Sequence, residues 1–340
     1  MKIVFAVLIF GFLILIHELG HYIFARKFDV EIEEFSIGMG PKIISRTSKK
    51  TGILYSLRLL PIGGYVAMNG EDCESESERA FGKKKVWQRI VITAAGGVIN
   101  VIVGIILMCA FVIASPRLVG TTVGQFNEDA VSQYYGLEIG DEIIKVGSTR
   151  VFTSQELVYE IMHDGIEPID ITVVRDGERV VLENVEFLSQ DTGGATFGAP
   201  DFKVFVVEKN FKNVLVHSVG YSRLAARQVW ESLVDLVSGR YGINEMSGPV
   251  GTTEVIGEAA KQGIIYVIYL AGLISVNLGI LNLLPIPALD GGRIVFLIVE
   301  AIRKKKLPND LEAKIHYVGI ILLMGLMAVI TCKDIINLIK

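Results

Sequence analysis

Residues 3–25 read IVFAVLIFGFLILIHELGHYIFA, a segment that is apolar apart from His17, Glu18 and His21. The core of a bilayer is about 30 Å thick and requires roughly 20 apolar residues of helix to span it. A secretory signal peptide is the alternative, but no small-x-small cleavage site follows, and Arg26 and Lys27 stand at the position of a stop-transfer flank. The segment therefore predicts a membrane-spanning helix.

Three further apolar segments have the length of a membrane span, at residues 90–114, 264–284 and 315–332. The whole chain of 340 residues is 51% hydrophobic and 21% charged, with a mean hydropathy of +0.49. The net charge of −4 provides no basic surface for a nucleic acid. Three widely spaced cysteines predict neither a disulfide framework nor a zinc cluster; they are Cys73, Cys109 and Cys332. We predict a polytopic α-helical membrane protein with four transmembrane segments.

The basic residues of the loops predict the orientation of these segments. Residues 26–89 contain 12 Lys and Arg, and a second basic run, RKKK, occupies residues 303–306. Residues 117–261 contain 12 basic and 22 acidic residues. We expect the two basic loops to be cytoplasmic, and both termini and the acidic region to be extracytoplasmic.

The acidic region has the pattern of a small β-rich domain. Strands are predicted at 142–146, 169–175 and 180–185, with Asp176-Gly177 as a hairpin turn. A short helix at 154–162 is predicted to be capped by Ser154. The sequence YGLEIGD, residues 135–141, resembles the GL-x-x-GD turn of PDZ domains; another small β-rich fold is the alternative.

Two other stretches have recognisable patterns. Apolar residues recur at helical spacing over 211–237, which predicts either an amphipathic helix on the outer membrane face or a helix packed on the domain. Residues 53–66 favour β structure broken by Pro61 and Gly63-Gly64, and residues 38–41 form a turn signal. We expect a β-hairpin element at the cytoplasmic membrane surface.

These patterns divide the chain into seven parts. They are the first span (1–28), the cytoplasmic loop with the β element (29–89), the second span (90–115), the PDZ-like domain (116–200), an amphipathic or linker region (201–262), the third span with a broken helix (263–302), and a basic loop with the fourth span (303–340).

The sequence His17-Glu18-Leu19-Gly20-His21 carries the strongest chemical signal. On a helix, a spacing of four residues places both imidazoles on one face about 6 Å apart, where they can hold Zn²⁺ while the glutamate acts as general base. Ionisable groups inside a membrane span cost several kcal/mol unless they face a metal, a partner or water. A chance match is therefore a poor explanation, and we predict that His17 and His21 bind a metal.

A catalytic zinc site uses three protein ligands and keeps one position open for water. Asp290, in the run NLLPIPALDGG at residues 282–292, is the other acidic residue deep in an apolar context. His17 and His21 lie roughly 21 to 27 Å along the first helix, and the prolines at 285 and 287 break the third span just before Asp290. All three side chains therefore fall near the cytoplasmic side. The alternative for Asp290 is a helix cap at the membrane surface.

The two motifs and the spans around a PDZ-like domain together resemble the site-2 protease family of intramembrane zinc metalloproteases, in its bacterial RseP/RasP-like branch with one PDZ domain. The runs SGPVG at 247–251 and GGYV at 63–66 extend the resemblance over nearly the whole chain. The resemblance implies that His17, His21 and Asp290 bind zinc and that Glu18 activates water. It also implies a membrane-associated β element near the substrate. Gly97 stands where the family commonly has proline.

The expected activity is zinc-dependent cleavage of the transmembrane segments of single-pass proteins, such as anti-sigma factors or remnant signal peptides, after another protease has acted on the substrate. A transmembrane substrate must unwind before cleavage. Four residues are candidates for binding the unwound backbone: Asn282, Asn100, Gly64 and Tyr65. The alternative for Asn282 is a helix-breaking cap ahead of Pro285, and the alternative for Asn100 is a hydrogen bond between helices. We read His163, His217 and His316 as non-catalytic. The main alternative is a membrane metal transporter or metal sensor; a non-enzymatic scaffold is another, and no nucleic acid partner is expected.

Overall fold

The computed structural model describes residues 2–71, 74–191, 196–239 and 248–339. Cys73 and Ser247, both used in the sequence analysis, lie outside these ranges. The helices are α1 (Lys2–Lys27), α2 (Val86–Ala114), α3 (Ser154–Asp164), α4 (Phe211–Ser238), α5 (Pro249–Gln262), α6 (Ile264–Leu283), α7 (Asp290–Arg303) and α8 (Asn309–Ile339). The strands are β1 (Ile32–Thr47), β2 (Leu54–Met68), β3 (Leu118–Phe126), β4 (Glu142–Val146), β5 (Thr149–Arg150), β6 (Ile169–Arg175), β7 (Glu178–Val185), β8 (Leu188–Asp191), β9 (Thr196–Ala199) and β10 (Phe202–Val207).

Four of these helices are long and apolar enough to cross a membrane: α1, α2, α6 and α8. They correspond to the four segments predicted from the hydropathy of the sequence. The chain forms two compact units, Met1–Gly104 with Met246–Lys340, and Ile105–Glu245. The two units are described separately below.

In the first unit, α2 and α6 approach each other backbone to backbone. A Cβ at Gly97 would lie 2.8 Å from the carbonyl oxygen of Gly279, and a Cβ at Gly279 would lie 2.6 Å from that of Gly97. Small residues of this kind permit close packing between helices in lipid. Because Gly97 replaces the proline common in the resembling family, α2 runs without a break from Val86 to Ala114.

The predicted cytoplasmic β element is present, and it is more folded than a simple hairpin. The first half of β1 lies between the two halves of β2. It pairs with the second half of β2 on one side, as in Ile37 with Gly64, and with the first half of β2 on the other side. The second half of β1 then pairs with that same first half of β2, as in Thr47 with Leu54. Gly38, with a φ of +83°, lies where β1 bends. We call this β1–β2 element the ribbon.

The second unit contains the predicted β-rich domain. Its sheet has the strand order β10-β3-β4-β6-β7, with β5 paired to β4. Its core consists of buried side chains from the sheet, α3 and the segments that connect them: Val123, Leu137, Ile143, Val146, Val151, Leu157, Ile161, Ile171, Val173, Val185, Phe187 and Phe202. The predicted strands and hairpin turn are present, and Asp176 and Gly177 both have positive φ, of 52° and 85°. The architecture agrees with a β-rich domain, while its assignment to the PDZ family stays a prediction.

Two local expectations in this unit require correction. The N-cap of α3 is Thr153 and not Ser154, because the Thr153 hydroxyl accepts a hydrogen bond from the amide of Glu156 in a capping box. The sheet also continues beyond residue 200, where we had placed the end of the domain. β10 pairs antiparallel with β3, as in Phe202 with Phe126, so the linker region begins only after Val207.

Helix α4 packs on the domain through buried charged groups. Arg223 Nε donates to Glu156 Oε1 at 2.9 Å, and Arg227 Nη2 donates to Glu160 Oε2 at 3.0 Å. The Tyr159 hydroxyl donates to Glu231 of α4 at 2.6 Å. Another side of α4 leaves large apolar residues exposed: Phe211, Leu215, Val219, Trp230 and Val234. The helix thus combines the two arrangements considered from the sequence, packing on the domain and presenting an apolar stripe.

Candidate metal centre

His17, His21 and Asp290 meet at one point in the first unit. The Nε2 atoms of His17 and His21 lie 3.2 Å apart. Asp290 Oδ2 lies 3.2 Å from His17 Nε2 and 3.3 Å from His21 Nε2. These residues form the one group of potential metal ligands found among the described histidines, cysteines and carboxylates. The structure therefore brings together the three ligands predicted from the sequence.

The chemistry of the three atoms fits a bound cation. His21 Nδ1 lies 2.9 Å from the backbone carbonyl oxygen of Ile92, so it must carry the proton that is donated there. In a neutral imidazole this leaves His21 Nε2 as a lone pair directed at the other two ligand atoms. The buried Asp290 Oδ2 forms no hydrogen bond with any described residue. Three electron-pair donors thus face one another, and no hydrogen lies between His21 Nε2 and Asp290. A metal ion bound by all three atoms would stabilise this arrangement.

Glycines provide the space for the two imidazoles against α2. A Cβ at Gly96 would collide with His21 Nε2 and would lie 2.8 Å from His17 Nε2. A Cβ at Gly20, on the turn between the two histidines, would lie 2.6 Å from the carbonyl oxygen of Ala95. Both ligands therefore depend on this close approach of α1 and α2.

Asp290 is placed by a short loop between α6 and α7. α6 ends at Leu283, and Asp290 is the first residue of α7, whose N-cap is Leu289. The side chain of Asp290 is 20% exposed and points at the histidines, so the alternative of a surface helix cap is wrong. Within the loop, Ala288 has a φ of +79°, an unfavourable value for a residue with a Cβ.

The helix α8 holds this loop in place. The Ala288 amide donates a hydrogen bond of 2.9 Å to His316 Nδ1. A Cβ at Gly319, one turn further along α8, would lie 2.6 Å from the Pro287 side chain. The loop that presents Asp290 is therefore packed against the helix of the predicted fourth span.

Comparison with known proteins identifies the family of the chain. A sequence profile described as "Peptidase family M50" matches residues 5–326. The chain belongs to peptidase family M50. It is 29% identical to the regulator of sigma-W protease RasP of Bacillus subtilis and 30% identical to the zinc metalloprotease RasP of Bacillus licheniformis, with 97% of each chain covered. It is 36% identical to a Clostridium acetobutylicum protein named as a candidate zinc metalloprotease, over 98% of this chain and 97% of the relative.

The membership confirms the predicted enzyme class and cofactor. This M50 chain is a zinc metalloprotease, and its metal is Zn²⁺. Two histidines and one aspartate are the nitrogen and oxygen ligands that catalytic zinc uses, with a fourth position left for water. The residues that converge at the site therefore fit this metal.

Glu18 follows the first ligand on α1 and lies beside the ribbon. A Cβ at Gly64 would lie 3.4 Å from Glu18 Cγ and 2.8 Å from the carbonyl oxygen of Ser36. Gly64 is therefore the point where the second half of β2 passes close to the glutamate. Neither contact shows what Glu18 or Gly64 does in catalysis, and both roles stay predictions.

The other candidate substrate-binding residues have different environments. Asn100 is fully buried, and in the described part of the chain neither its Oδ1 nor its Nδ2 has a hydrogen-bond partner. Its backbone carbonyl accepts a hydrogen bond from Ser275 at 2.7 Å. Asn282 lies inside the last turn of α6, so it is not the cap that ends this helix. The Tyr65 hydroxyl accepts a 2.5 Å hydrogen bond from Arg58 Nη2, within the ribbon.

Sequence reasoning missed two residues that support the ligands. From the sequence we interpret His316 as non-catalytic; His316 is not among the grouped ligand residues, and its bond to Ala288 was not predicted. The carbonyl of Ile92, which orients His21, has no side-chain signal at all. The HYVG run at residues 316–319 places His316 and Gly319 one turn apart on α8, and that spacing was the available clue.

Proposed function

We propose that this protein is an intramembrane endopeptidase that cleaves transmembrane segments of single-pass membrane proteins. The observation that carries the proposal is the place of the metal centre. Two of its ligands and Glu18 lie in the second half of α1, a helix long and apolar enough to cross a membrane. An M50 metalloprotease with its ligands inside such a helix is built to act on peptide bonds at membrane depth.

The proposed chemistry divides between the metal and one side chain. When bound by His17, His21 and Asp290, zinc lowers the pKa of its water to about 7 and polarises the scissile carbonyl. Glu18 is adjacent in sequence to His17 and acts as the general base that accepts the proton of the attacking water. The same carboxyl then delivers that proton to the leaving amine. Asp290 stays a ligand throughout.

A helical substrate must expose its backbone before cleavage, and the ribbon is suited to receive it. The second half of β2, which passes Glu18 at Gly64, pairs with β1 on one side only in the described part of the chain. An unwound peptide can therefore be added at this edge as a further strand. The unpartnered amide of Asn100 and the amide of Asn282 are further groups proposed to bind the released backbone.

The exposed side chains of the ribbon support its association with the membrane surface. Large apolar residues are exposed on it: Ile37, Met39, Ile43, Ile44, Leu57, Leu59 and Leu60. Its loop also carries the basic residues that favour the cytoplasmic side. We place the active site near that side, with both termini extracytoplasmic.

The name of one relative supports a class of substrate. One of them is named regulator of sigma-W protease. We propose anti-sigma factors and remnant signal peptides as substrates for this chain, cut after an earlier protease has shortened them outside the membrane. The sequential order is testable by comparing untrimmed with trimmed substrate, because equal cleavage rates would exclude it.

The test is a cleavage assay in membranes with a panel of tagged single-pass proteins whose N-termini are cytoplasmic. Wild type should give a shorter, zinc-dependent product. Glu18→Gln should keep its zinc and lose cleavage by about 100-fold or more, because it lacks the general base. Asp290→Ala should lose both zinc and product. Glu178→Gln, the same chemical change at an exposed site in the other unit, is the matched control and should cleave like wild type.

Two outcomes would overturn the proposal. Cleavage by Glu18→Gln at the wild-type rate would exclude Glu18 as the general base. Transport of zinc across vesicle membranes by both wild type and Glu18→Gln, without cleavage by either, would support a metal transporter in place of a peptidase.

A further inference from the structure

A cavity of about 480 Å³ lies in the second unit, between β3, β4 and the first turns of α4. It is separate from the metal ligands, none of which lines it. Its wall contains four cationic side chains, Lys145, Arg150, Arg179 and Lys212, and one carboxylate, Glu142. The cavity is therefore strongly cationic.

This charge is unusual for its surroundings. Residues 117–261 contain 22 acidic and 12 basic residues, so carboxylates are available to pair with most cations. Arg175, Arg223 and Arg227 do pair with them. The side chains of the four cations that line the cavity have no ion pair or hydrogen bond with any described residue. An acidic region thus keeps four unpaired cations around one space.

A buried polar group also faces the cavity. His217 of α4 lines it and is only 4% exposed, and neither ring nitrogen has a hydrogen-bond partner in the described ranges. Burial lowers the pKa of His217, which keeps the imidazole neutral at pH 7 and able to donate one hydrogen bond. The remaining wall includes the apolar side chains of Val151, Phe152 and Val216. Such a wall suits a ligand with an anionic group and an apolar portion.

The cavity lies next to the end of a predicted membrane span. Lys209 Nζ donates to the carbonyl oxygens of Ile113 and Ser115, at the C-terminal end of α2, and the latter bond is 2.9 Å long. Lys212, which lines the cavity, follows three residues later. The apolar stripe of α4 begins at the same place, with Phe211 85% exposed. Cations and exposed aromatic side chains together are typical of a protein surface at the lipid headgroups.

We propose that this cavity binds the phosphate-bearing headgroup of an anionic phospholipid at the membrane surface where α2 ends. The cations neutralise the phosphate, His217 donates to one of its oxygens, and the apolar wall contacts the glycerol and the start of the acyl chains. A lipid fits better than a free phosphate because part of the wall is apolar and the cavity adjoins the end of α2. The inference requires α2 to cross the membrane, and it does not depend on peptidase activity.

The test uses the full chain in lipid nanodiscs made either of phosphatidylcholine alone or of phosphatidylcholine with phosphatidylglycerol. Acylation of lysines by an amine-reactive reagent is followed by mass spectrometry. Phosphatidylglycerol should slow the labelling of Lys145 and Lys212 several-fold. Lys203, an exposed lysine of the same unit outside the cavity and without a partner in the described chain, is the matched control and should be labelled equally in both nanodiscs.

Variants and a soluble probe complete the experiment. Lys145→Gln and Lys212→Gln should each lower the retention of phosphatidylglycerol in native mass spectra about five-fold, the effect expected of one basic residue at an anionic lipid surface. Lys203→Gln should not. Equal protection of all three lysines would overturn the site. Protection by glycerol phosphate in phosphatidylcholine nanodiscs, to the same degree as by the anionic lipid, would overturn the lipid as its source. Neither lysine labelling nor lipid retention depends on peptidase activity. A negative result in these measurements would therefore exclude the lipid site without bearing on the proposed function.

Discussion

The loop that precedes Asp290 is strained, and it contacts the helix of the fourth predicted span. Ala288 adopts a φ of +79° only two residues before the proposed ligand Asp290. A positive φ costs an alanine about 1–2 kcal/mol, so the loop needs outside contacts to hold it. His316 Nδ1 accepts from the Ala288 amide. We therefore regard His316 as a positioning residue for Asp290.

Replacement of His316 should weaken zinc binding without touching a ligand. His316→Leu removes the acceptor, so Ala288 can relax and displace Asp290. We expect a loss of zinc affinity of about ten-fold, the lower end for residues that support metal ligands. His316→Asn keeps an acceptor at the position of Nδ1 and should bind zinc like wild type. The measurement is competition with a chelating dye in detergent.

A second variant separates this role from a general effect on folding. Glycine adopts positive φ without a steric penalty, so Ala288→Gly should restore part of the zinc affinity when combined with His316→Leu. The idea fails if His316→Leu binds zinc as tightly as wild type. It also fails if Ala288→Gly gives no recovery.

At the scale of the element, the ribbon is held by an ion pair across its strands. Burial opposes ionisation of Glu34, but hydrogen bonds from Ser56 and Arg58 together with Tyr65 and Lys42 lower its pKa to about 2. The Glu34 side chain is 13% exposed and accepts from Arg58 Nη2 at 2.9 Å. Because the pKa of the folded state lies below the ordinary 4.5, the pair stabilises the ribbon above pH 4.5. The stabilisation is lost as the pH falls toward 2.

The ribbon should therefore show an acid dependence that one substitution removes. Glu34→Gln should destabilise it by about 1–3 kcal/mol at pH 7, as expected for loss of charge-assisted hydrogen bonds. The difference from wild type should shrink as the pH falls from about 4.5 to about 2. Hydrogen exchange of the ribbon amides measures this. Glu33→Gln is the control on the neighbouring position, and a pH-independent difference for Glu34→Gln would contradict the assignment.

The elements divide into those set by local sequence and those set by distant partners. The spans and the two histidines were predictable because hydropathy and a four-residue spacing act within one helix. The cap of α3 was misassigned because Thr153 and Ser154 both have capping chemistry, and only the backbone geometry distinguishes them. The turn signal at residues 38–41 marked the bend of β1 at Gly38, but the pairing of both halves of β1 with β2 was not predictable from it. β10 was not predictable either, since it depends on pairing with β3, which lies far away in the sequence. The φ of Ala288 likewise depends on His316, 28 residues later.

At the scale of the whole molecule, the uneven distribution of charge predicts how the chain crosses the membrane. The segment 26–89 contains 12 basic residues, whereas residues 117–261 have a balance of −10. Positive loops are retained in the cytoplasm. We therefore expect the ribbon and the active site to face the cytoplasmic side, and the β-rich domain with its cationic cavity to lie outside.

This topology can be tested in intact cells after Cys73, Cys109 and Cys332 are replaced by serine. Single cysteines are placed at two exposed positions, Lys49→Cys in the ribbon loop and Glu178→Cys in the β-rich domain. A maleimide that cannot cross the membrane should label Glu178→Cys in intact cells and Lys49→Cys only after permeabilisation. The reverse pattern would invert the topology. It would also place the edge of the ribbon that receives the substrate on the same side of the membrane as an extracytoplasmic first protease. Both cuts would then be made from one side, and trimming of the substrate outside would act directly on the part that the ribbon receives.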